Sequence, residues 1–276
     1  MNDASTLPTT LVLLGAGKMG SAMLRGWLAL GMDGHGVTIV DPYPADDLME
    51  LAKEHGILVN PPAGTISPPE ALVLAIKPQT LEAAAPDIAP LVGGNTLVLS
   101  IMAGKTIANI AQRLPQAKAI VRAMPNTPAA VGRGITGAAA SAGVNAHQRA
   151  AASALLSAIG AVEWLDREDW IDAVTAVSGS GPAYVFYLAE CMAKAGEAAG
   201  LPADLAMRLA RATVEGAGEL MFRDAATPAS QLRVNVTSPG GTTAAALEVL
   251  MDPNGLEPLM TKAIGAAKRR AGELSG

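Results

Sequence analysis

The residues of this chain best suited to chemistry fall in five short segments. The first is Gly15-Ala16-Gly17-Lys18-Met19-Gly20, a G-x-G-x-x-G turn directly after the apolar run Leu11–Leu14 and at the start of an amphipathic stretch. Each glycine has a task in such a turn. The first allows the tight bend, the second lets a pyrophosphate reach the backbone, and the third lets helix and strand pack closely. The helix start then offers unpaired N–H groups and a partial positive charge to phosphate oxygens. Asp41 ends the next β-branched run, 21 residues past Gly20. An acidic residue there accepts hydrogen bonds from the adenosine ribose and repels a 2′-phosphate, so Asp41 leans the expectation towards NADH over NADPH. Asp41-Pro42 is also an ordinary turn dipeptide.

Two further segments follow strand candidates and so fall where ligands bind in open parallel sheets. One is Lys77-Pro78-Gln79, into which Ala71–Ile76 runs, and the other is Met102-Ala103-Gly104 after the next strand. Arg122-Ala123-Met124-Pro125-Asn126-Thr127-Pro128 also closes a strand. Its two prolines read first as a rigid turn, which could present Asn and Thr to a ligand.

The fifth segment is Asn235-Val236-Thr237-Ser238-Pro239-Gly240-Gly241-Thr242-Thr243, ahead of the apolar run Ala244–Met251. Pro239 is expected at the first helical position with Ser238 as N-cap. Two glycines inside the first turn cost about 1 kcal/mol each relative to Ala, so capping alone does not explain them. Exposed N–H groups and two hydroxyls without formal charge suit a carboxylate. None of the five segments holds His or Cys. Reducing a ketone develops an alkoxide that wants a strong proton donor. Hydride addition to a protonated imine only neutralises a charge, so a C=N substrate fits better.

These residues need elements to hold them. Strand candidates are Leu11–Leu14, Val37–Val40, Ile57–Val59, Ala71–Ile76, Thr96–Ser100, Ala119–Ala123, Ile135–Ala139 and Val162–Leu165. Helical spacing covers Met19–Leu30, Asp46–His55, Leu81–Leu91, Ile107–Leu114 and Ala146–Ile159. Such alternation predicts a mostly parallel sheet covered on both faces. Strand signals stop after Asp166, and the composition changes near Leu165–Glu168. The reading is an α/β fold with an N-terminal dinucleotide-binding domain, 1–166, and a C-terminal all-helical domain, 167–276. The second is punctuated at Ser178–Pro182, Gly200–Pro202, Thr227–Pro228 and Ser238–Gly241. Pro182 suits the first turn of a new helix. Few large side chains in so small a helical domain point to a core completed by a second copy.

Composition bounds the partners. The chain has 276 residues, half of them hydrophobic, and a formal charge of −5. With three Trp, three Tyr and two Phe, base-stacking platforms are not expected, and the acidic balance disfavours nucleic acid and anionic membrane. Cys191 is the only cysteine, which excludes an internal disulfide and suits a reducing cytoplasm. His35, His55 and His147 do not fall at metal-ligand spacing, so no metal is expected. The charge-free runs Ile88–Gly104 and Ala173–Ala189 are broken by Pro and Gly and do not read as membrane spans. Asp3, without a basic flank, does not suggest a signal peptide.

The ordered motifs GAGKMG (15–20), AIKPQ (75–79), MPNTP (124–128), DAVTAVSGSGPAYVF (172–186) and VTSPGGTT (236–243) resemble those of Δ1-pyrroline-5-carboxylate reductases, from about Leu11 to Arg270. The resemblance implies a Rossmann-like NAD(P)-binding domain followed by an intertwined helical dimerisation domain, and reduction of the cyclic imine to L-proline. It implies cofactor contacts at Gly15, Ala16, Gly17, Lys18, Met19, Gly20, Ala75, Ile76, Lys77, Pro78, Ile101, Met102 and Ala103. It further implies substrate contacts at Glu168, Asn235, Gly241, Thr242 and Thr243. For an imine held at that helix start, Thr243 is also expected to hydrogen-bond the ring nitrogen as the catalytic residue. The assembly implied is a homo-oligomer, a dimer or several dimers, whose sites combine two subunits. Asn60-Pro61-Pro62 carries no sure cofactor contact from the family. Family members often lack an acid at the position of Asp41 and use NADPH. The β-hydroxyacid dehydrogenases share the two-domain plan but place Lys after G-x-G-x-x-x. Here Val185 stands at that spacing after Gly179-Ser180-Gly181. A non-catalytic dinucleotide-binding regulator would keep GAGKMG without needing Thr242 and Thr243.

Overall fold

The structure is a computed structural model describing residues 7–62 and 64–275. The N-terminal segment carrying Asp3 lies outside the described residues. Two compact units divide the chain. The first comprises residues 1–179 and 268–276, and the second residues 180–267.

The first unit is built on eight strands: β1 (Leu11–Leu14), β2 (Val37–Val40), β3 (Leu58–Val59), β4 (Ala71–Leu74), β5 (Leu97–Ser100), β6 (Ala119–Met124), β7 (Gly134–Ala140) and β8 (Gly160–Trp164). Their order across the sheet is β3-β2-β1-β4-β5-β6-β7-β8. Neighbours from β3 to β6 are parallel, β6 and β7 are antiparallel, and β7 and β8 are parallel again. The central strands β1, β4 and β5 are buried at every residue, as unbroken Val/Leu runs in a two-faced parallel sheet require.

Helices α1 (Lys18–Ala29), α2 (Asp46–His55), α3 (Leu81–Ile88), α4 (Ile107–Arg113) and α5 (Ala146–Ser157) connect the strands. Two apolar layers result. On one face Leu11, Leu13, Val73 and Leu99 pack with Met23 and Trp27 of α1 and Leu155 of α5. On the other, Val12, Leu72 and Val98 pack with Leu81 and Ile88 of α3 and Ile110 of α4. Trp27 is fully buried, and its indole N–H donates to the Leu155 carbonyl at 2.8 Å, which satisfies its one polar atom.

Strand and helix placement follow the sequence pattern to within about two residues, except that α3 ends at Ile88 and a 3-10 turn, Ala89–Leu91, completes the expected span. The compact units divide later than the composition does, at Gly179. The reason is physical: residues 168–179 bond back to the sheet. Glu168 accepts the Ile107 N–H and the Arg122 guanidinium, and the Asn126 amide donates to the Ser178 carbonyl. The segment contains α6 (Ile171–Val174) and a π-turn over Thr175–Gly179.

The second unit contains α7 (Gly181–Ala198), α8 (Ala203–Arg223), α9 (Ala229–Asn235), α10 (Thr242–Leu250) and most of α11 (Leu256–Ser275), whose last residues belong to the first unit. Pro182 lies in the first turn of α7 as expected. Small residues bring α7 and α8 together: a Cβ on Gly196 would lie 3.1 Å from that of Ala206. Large side chains meanwhile face outward. Phe186 is 65 %, Tyr187 62 % and Leu220 63 % exposed within one chain.

Candidate active site

The parallel strands deliver their loops to one edge of the sheet. The chain runs from β1 outward to β3, then crosses back to β4 and proceeds the other way. The crevice at that reversal is the place where such sheets hold ligands. Residues 15–20, Asp41, 75–78 and 101–103 follow β1, β2, β4 and β5, so the fold brings the expected cofactor residues to one row of strand ends.

The glycines separate by what surrounds them. Gly15 has φ +84°, and a Cβ there would lie 2.8 Å from the Ala75 carbonyl oxygen. A Cβ on Gly20 would lie 2.4 Å from the Gly15 oxygen. Both are therefore required by the protein itself. Gly17 has no atom within 4 Å of such a Cβ and is exposed. Nothing in the fold needs it, whereas an approaching pyrophosphate would. Gly17 is the N-cap of α1 and supplies no capping side chain, so the first N–H groups of α1 are open to an anion.

Asp41 is held firmly. Its Oδ2 accepts the Ala16 N–H at 2.6 Å and its Oδ1 accepts the Tyr43 N–H at 2.8 Å. Asn60 grips the same residue by the backbone: the Asp41 N–H donates to Asn60 Oδ1 at 2.9 Å, and Asn60 Nδ2 donates to the Asp41 carbonyl at 2.7 Å. Asn60 has φ 49°, a left-handed conformation that Asn tolerates better than most residues. Sequence reasoning assigned Asn60 no role. Its signal was an Asn placed directly after a strand, ahead of two prolines.

Beneath these loops lies a cleft of about 570 Å³, lined by Leu14, Val40, Pro42, Pro61, Ile76 and Ala84 among others. Apolar walls at a strand end suit a flat heterocycle. Ile76 is among the expected cofactor contacts, whereas apolar walls such as Val40 and Ala84 have no mark in the sequence beyond hydrophobicity. Among the more distal contacts, Met102 differs from expectation in one respect. The residue is 2 % exposed and belongs to the core, its N–H donates to Ser100 Oγ at 3.3 Å and its carbonyl accepts the Lys105 N–H at 3.4 Å, so it anchors the loop after β5.

MPNTP resolves as the rigid turn. Asn126 is 8 % exposed, and its amide bridges the Ile135 N–H at 2.9 Å and the Ser178 carbonyl at 3.1 Å. Glu168 belongs to the first unit, where its Oε1 accepts the Ile107 N–H at 2.8 Å.

Asn235, Gly241, Thr242 and Thr243 belong to the second unit. Here one expectation is corrected. Ser238 is not the N-cap, and Pro239 is not the first helical residue. The Gly241 N–H donates to the Ser238 carbonyl at 3.0 Å, and Gly240 has φ +67°. Residues 238–241 thus form a turn with Pro second and a positive-φ Gly third, the pairing a type II turn demands. Helix α10 starts only at Thr242, with Gly241 as N-cap and no capping side chain. The correction leaves the N–H groups of Thr242, Thr243 and Ala244 uncapped by Gly241. Asn235 ends α9, and its Oδ1 accepts Gln231 Nε2 at 2.8 Å.

Among the described residues no cluster of His, Cys, Asp and Glu forms a metal site, and no helix is long and apolar enough to cross a membrane.

A doubly wound sheet with this glycine turn, joined to a helical unit, defines the class: a nicotinamide-dependent oxidoreductase with a Rossmann-like cofactor domain. Residues 10–104 match the family described as NADP oxidoreductase coenzyme F420-dependent, and residues 168–274 match the pyrroline-5-carboxylate reductase dimerisation family. The chain belongs to the pyrroline-5-carboxylate reductase family. It is 40 % identical over 266 residues to the Pseudomonas aeruginosa pyrroline-5-carboxylate reductase, covering 96 % of each chain. It is 41 % identical over 269 residues to that of Synechocystis, covering 96 % of this chain and 97 % of the other. The structure of the Coxiella burnetii enzyme superposes with a TM-score of 0.88 at 34 % identity, covering 97 % of this chain and 98 % of that one. A Plasmodium falciparum pyrroline carboxylate reductase, solved with NADP bound, gives 0.79 at 27 % identity and the same coverage. The dimerisation family accounts for the outward apolar side chains of α7 and α8 as surface for a homo-oligomer.

Proposed function

We propose that this chain reduces the C=N bond of 1-pyrroline-5-carboxylate to give L-proline, the last step of proline biosynthesis, and that its residues divide the work as follows. The α1 start, with Gly17 open to solvent, takes the pyrophosphate. The apolar cleft between Leu14 and Ala84 takes the adenine ring, and Ala75–Pro78 and Ile101–Ala103 line the path of the cofactor. When bound, the reduced nicotinamide supplies the hydride that adds to the imine carbon. The α10 start holds the substrate carboxylate through the N–H groups and hydroxyls of Thr242 and Thr243. Thr243 also hydrogen-bonds the ring nitrogen, and Asn235 and Glu168 contact the substrate. Rate then comes mainly from positioning.

The observation that carries this reading is the uncapped start of α10, where two hydroxyls follow a glycine N-cap. It is an anion seat without a general acid, which suits a carboxylate on a protonated imine. We further infer a preference for NADH, because the Asp41 carboxylate is fixed beside the glycine turn and would repel a 2′-phosphate. The working assembly is a dimer or several dimers, without nucleic acid or membrane as partner, in a reducing cytoplasm.

The test is consumption of NADH and, in parallel, NADPH by purified protein with 1-pyrroline-5-carboxylate, with proline quantified in the same tube. Proline stoichiometric with oxidised cofactor is expected. A folded protein that binds cofactor and makes no proline would overturn the reading.

A further inference from the structure

Arg122 is a cation where the sheet has little room for one. It lies within β6, opposite Ser100 of β5, and its side chain is 5 % exposed. A guanidinium is sealed in a protein only when paired. Two carboxylates serve it. Nη1 donates to Glu168 Oε1 at 3.1 Å, and Nη2 lies 3.7 Å from Asp172 Oδ1, which also accepts the Ser275 hydroxyl at 3.2 Å.

The two carboxylates are used differently. Glu168 Oε1 takes both Arg122 and the Ile107 N–H, at 2.8 Å. No donor among the described residues reaches Glu168 Oε2, and the Glu168 side chain is 29 % exposed. Arg–carboxylate pairs are frequently bidentate, the strongest arrangement open to them, and this one uses a single oxygen of Glu168. Here the cation is buried and the carboxylate is gripped by one oxygen at the edge of the solvent.

We propose that Arg122 is a positioning residue for substrate binding: it fixes Glu168 by Oε1 so that Oε2 is left to accept a hydrogen bond from the substrate. The inference rests on the proposed role of Glu168. Lys at position 122 would keep the charge but lose the planar fork that sets the direction of the carboxylate.

The experiment is a double-mutant cycle of Arg122→Met and Glu168→Gln in the full-length protein, with Arg122→Lys alongside. KM for 1-pyrroline-5-carboxylate, KM for the reduced cofactor and the thermal midpoint are measured for each. Each single change is expected to raise KM for the imine about tenfold, within the coupling seen for charged partners in contact, with cofactor KM within about twofold of wild type. The double variant should be no worse than the worse single. Arg122→Lys should show a smaller rise that vanishes in the Glu168→Gln background. That comparison carries the test should Arg122→Met fail to fold. Effects that multiply to about a hundredfold in the double variant would overturn the proposal, as would an equal rise in cofactor KM. If Glu168→Gln leaves KM for the imine unchanged, the substrate role of Glu168 falls and the proposal with it. If Glu168→Gln raises it but the cycle is additive, only the proposal falls.

Discussion

The Asp41 carboxylate accepts the backbone N–H of Ala16 at 2.6 Å. One side chain thereby ties the end of β2 to the glycine turn after β1, with donor and acceptor 25 positions apart in the chain. The residue expected to read the ribose is also a brace for the turn that reads the pyrophosphate. Changing Asp41 to a small residue would disturb both functions at once.

A charge-only substitution separates them. Asp41→Asn keeps an oxygen that can accept the Ala16 N–H and removes the negative charge. We expect kcat/KM with NADPH to rise relative to NADH by roughly tenfold, the order of a charge–charge repulsion at a partly exposed site. Asp41→Ser should move the ratio the same way while weakening both cofactors, because the brace is lost. Steady-state kinetics with the two cofactors checks this. A ratio unchanged in Asp41→Asn would remove Asp41 from cofactor choice and leave it only as the brace.

The glycines of the turn give a second separation. Gly17→Ala meets open space and should leave thermal stability within a few degrees of wild type while weakening cofactor binding about tenfold. Gly20→Ala drives a Cβ to 2.4 Å from the Gly15 oxygen and should cost about 1–3 kcal/mol of stability. Thermal unfolding and cofactor titration on the same two proteins suffice. Loss of stability in Gly17→Ala with cofactor binding intact would reverse the assignment.

These contrasts show what a linear sequence conveys. Composition located the strands because buried parallel strands read as short apolar, β-branched-rich runs, and β1, β2, β4, β5 and β6 appear where such runs fall. The glycine turn was legible because its residues are consecutive. Asn60 and Arg122 were not, because their partners lie 19 and 46 residues away and nothing local marks the pairing. The start of α10 was misjudged for a different reason. Pro opens both helices and type II turns, and the choice depended on Gly240, whose positive φ makes the turn and delays the helix to Thr242.

That displaced helix start sharpens the prediction for Thr243. With Gly241 as N-cap, Thr242 and Thr243 are the first two residues of α10, at its positive end. Thr243→Ala should lower kcat/KM for 1-pyrroline-5-carboxylate at least about tenfold, the loss for one oriented hydrogen bond of ~1.4 kcal/mol. Cofactor affinity should not change. Thr242→Val with Thr243→Val should abolish turnover and still bind NADH. A wild-type rate in Thr243→Ala would remove its hydroxyl from the reaction.

The outward faces of α7 and α8 yield the last prediction. Phe186 and Leu220 are 65 % and 63 % exposed in the isolated chain. Covering each by a second copy would contribute about 1.5–3 kcal/mol, and a carboxylate in its place would be buried without a partner. Phe186→Glu with Leu220→Glu should therefore shift the assembly to smaller species at micromolar concentration. Sedimentation velocity reads the mass directly. Circular dichroism of the same sample separates dissociation from unfolding. Retention of the wild-type mass would place the contact between copies on another face of the helical unit.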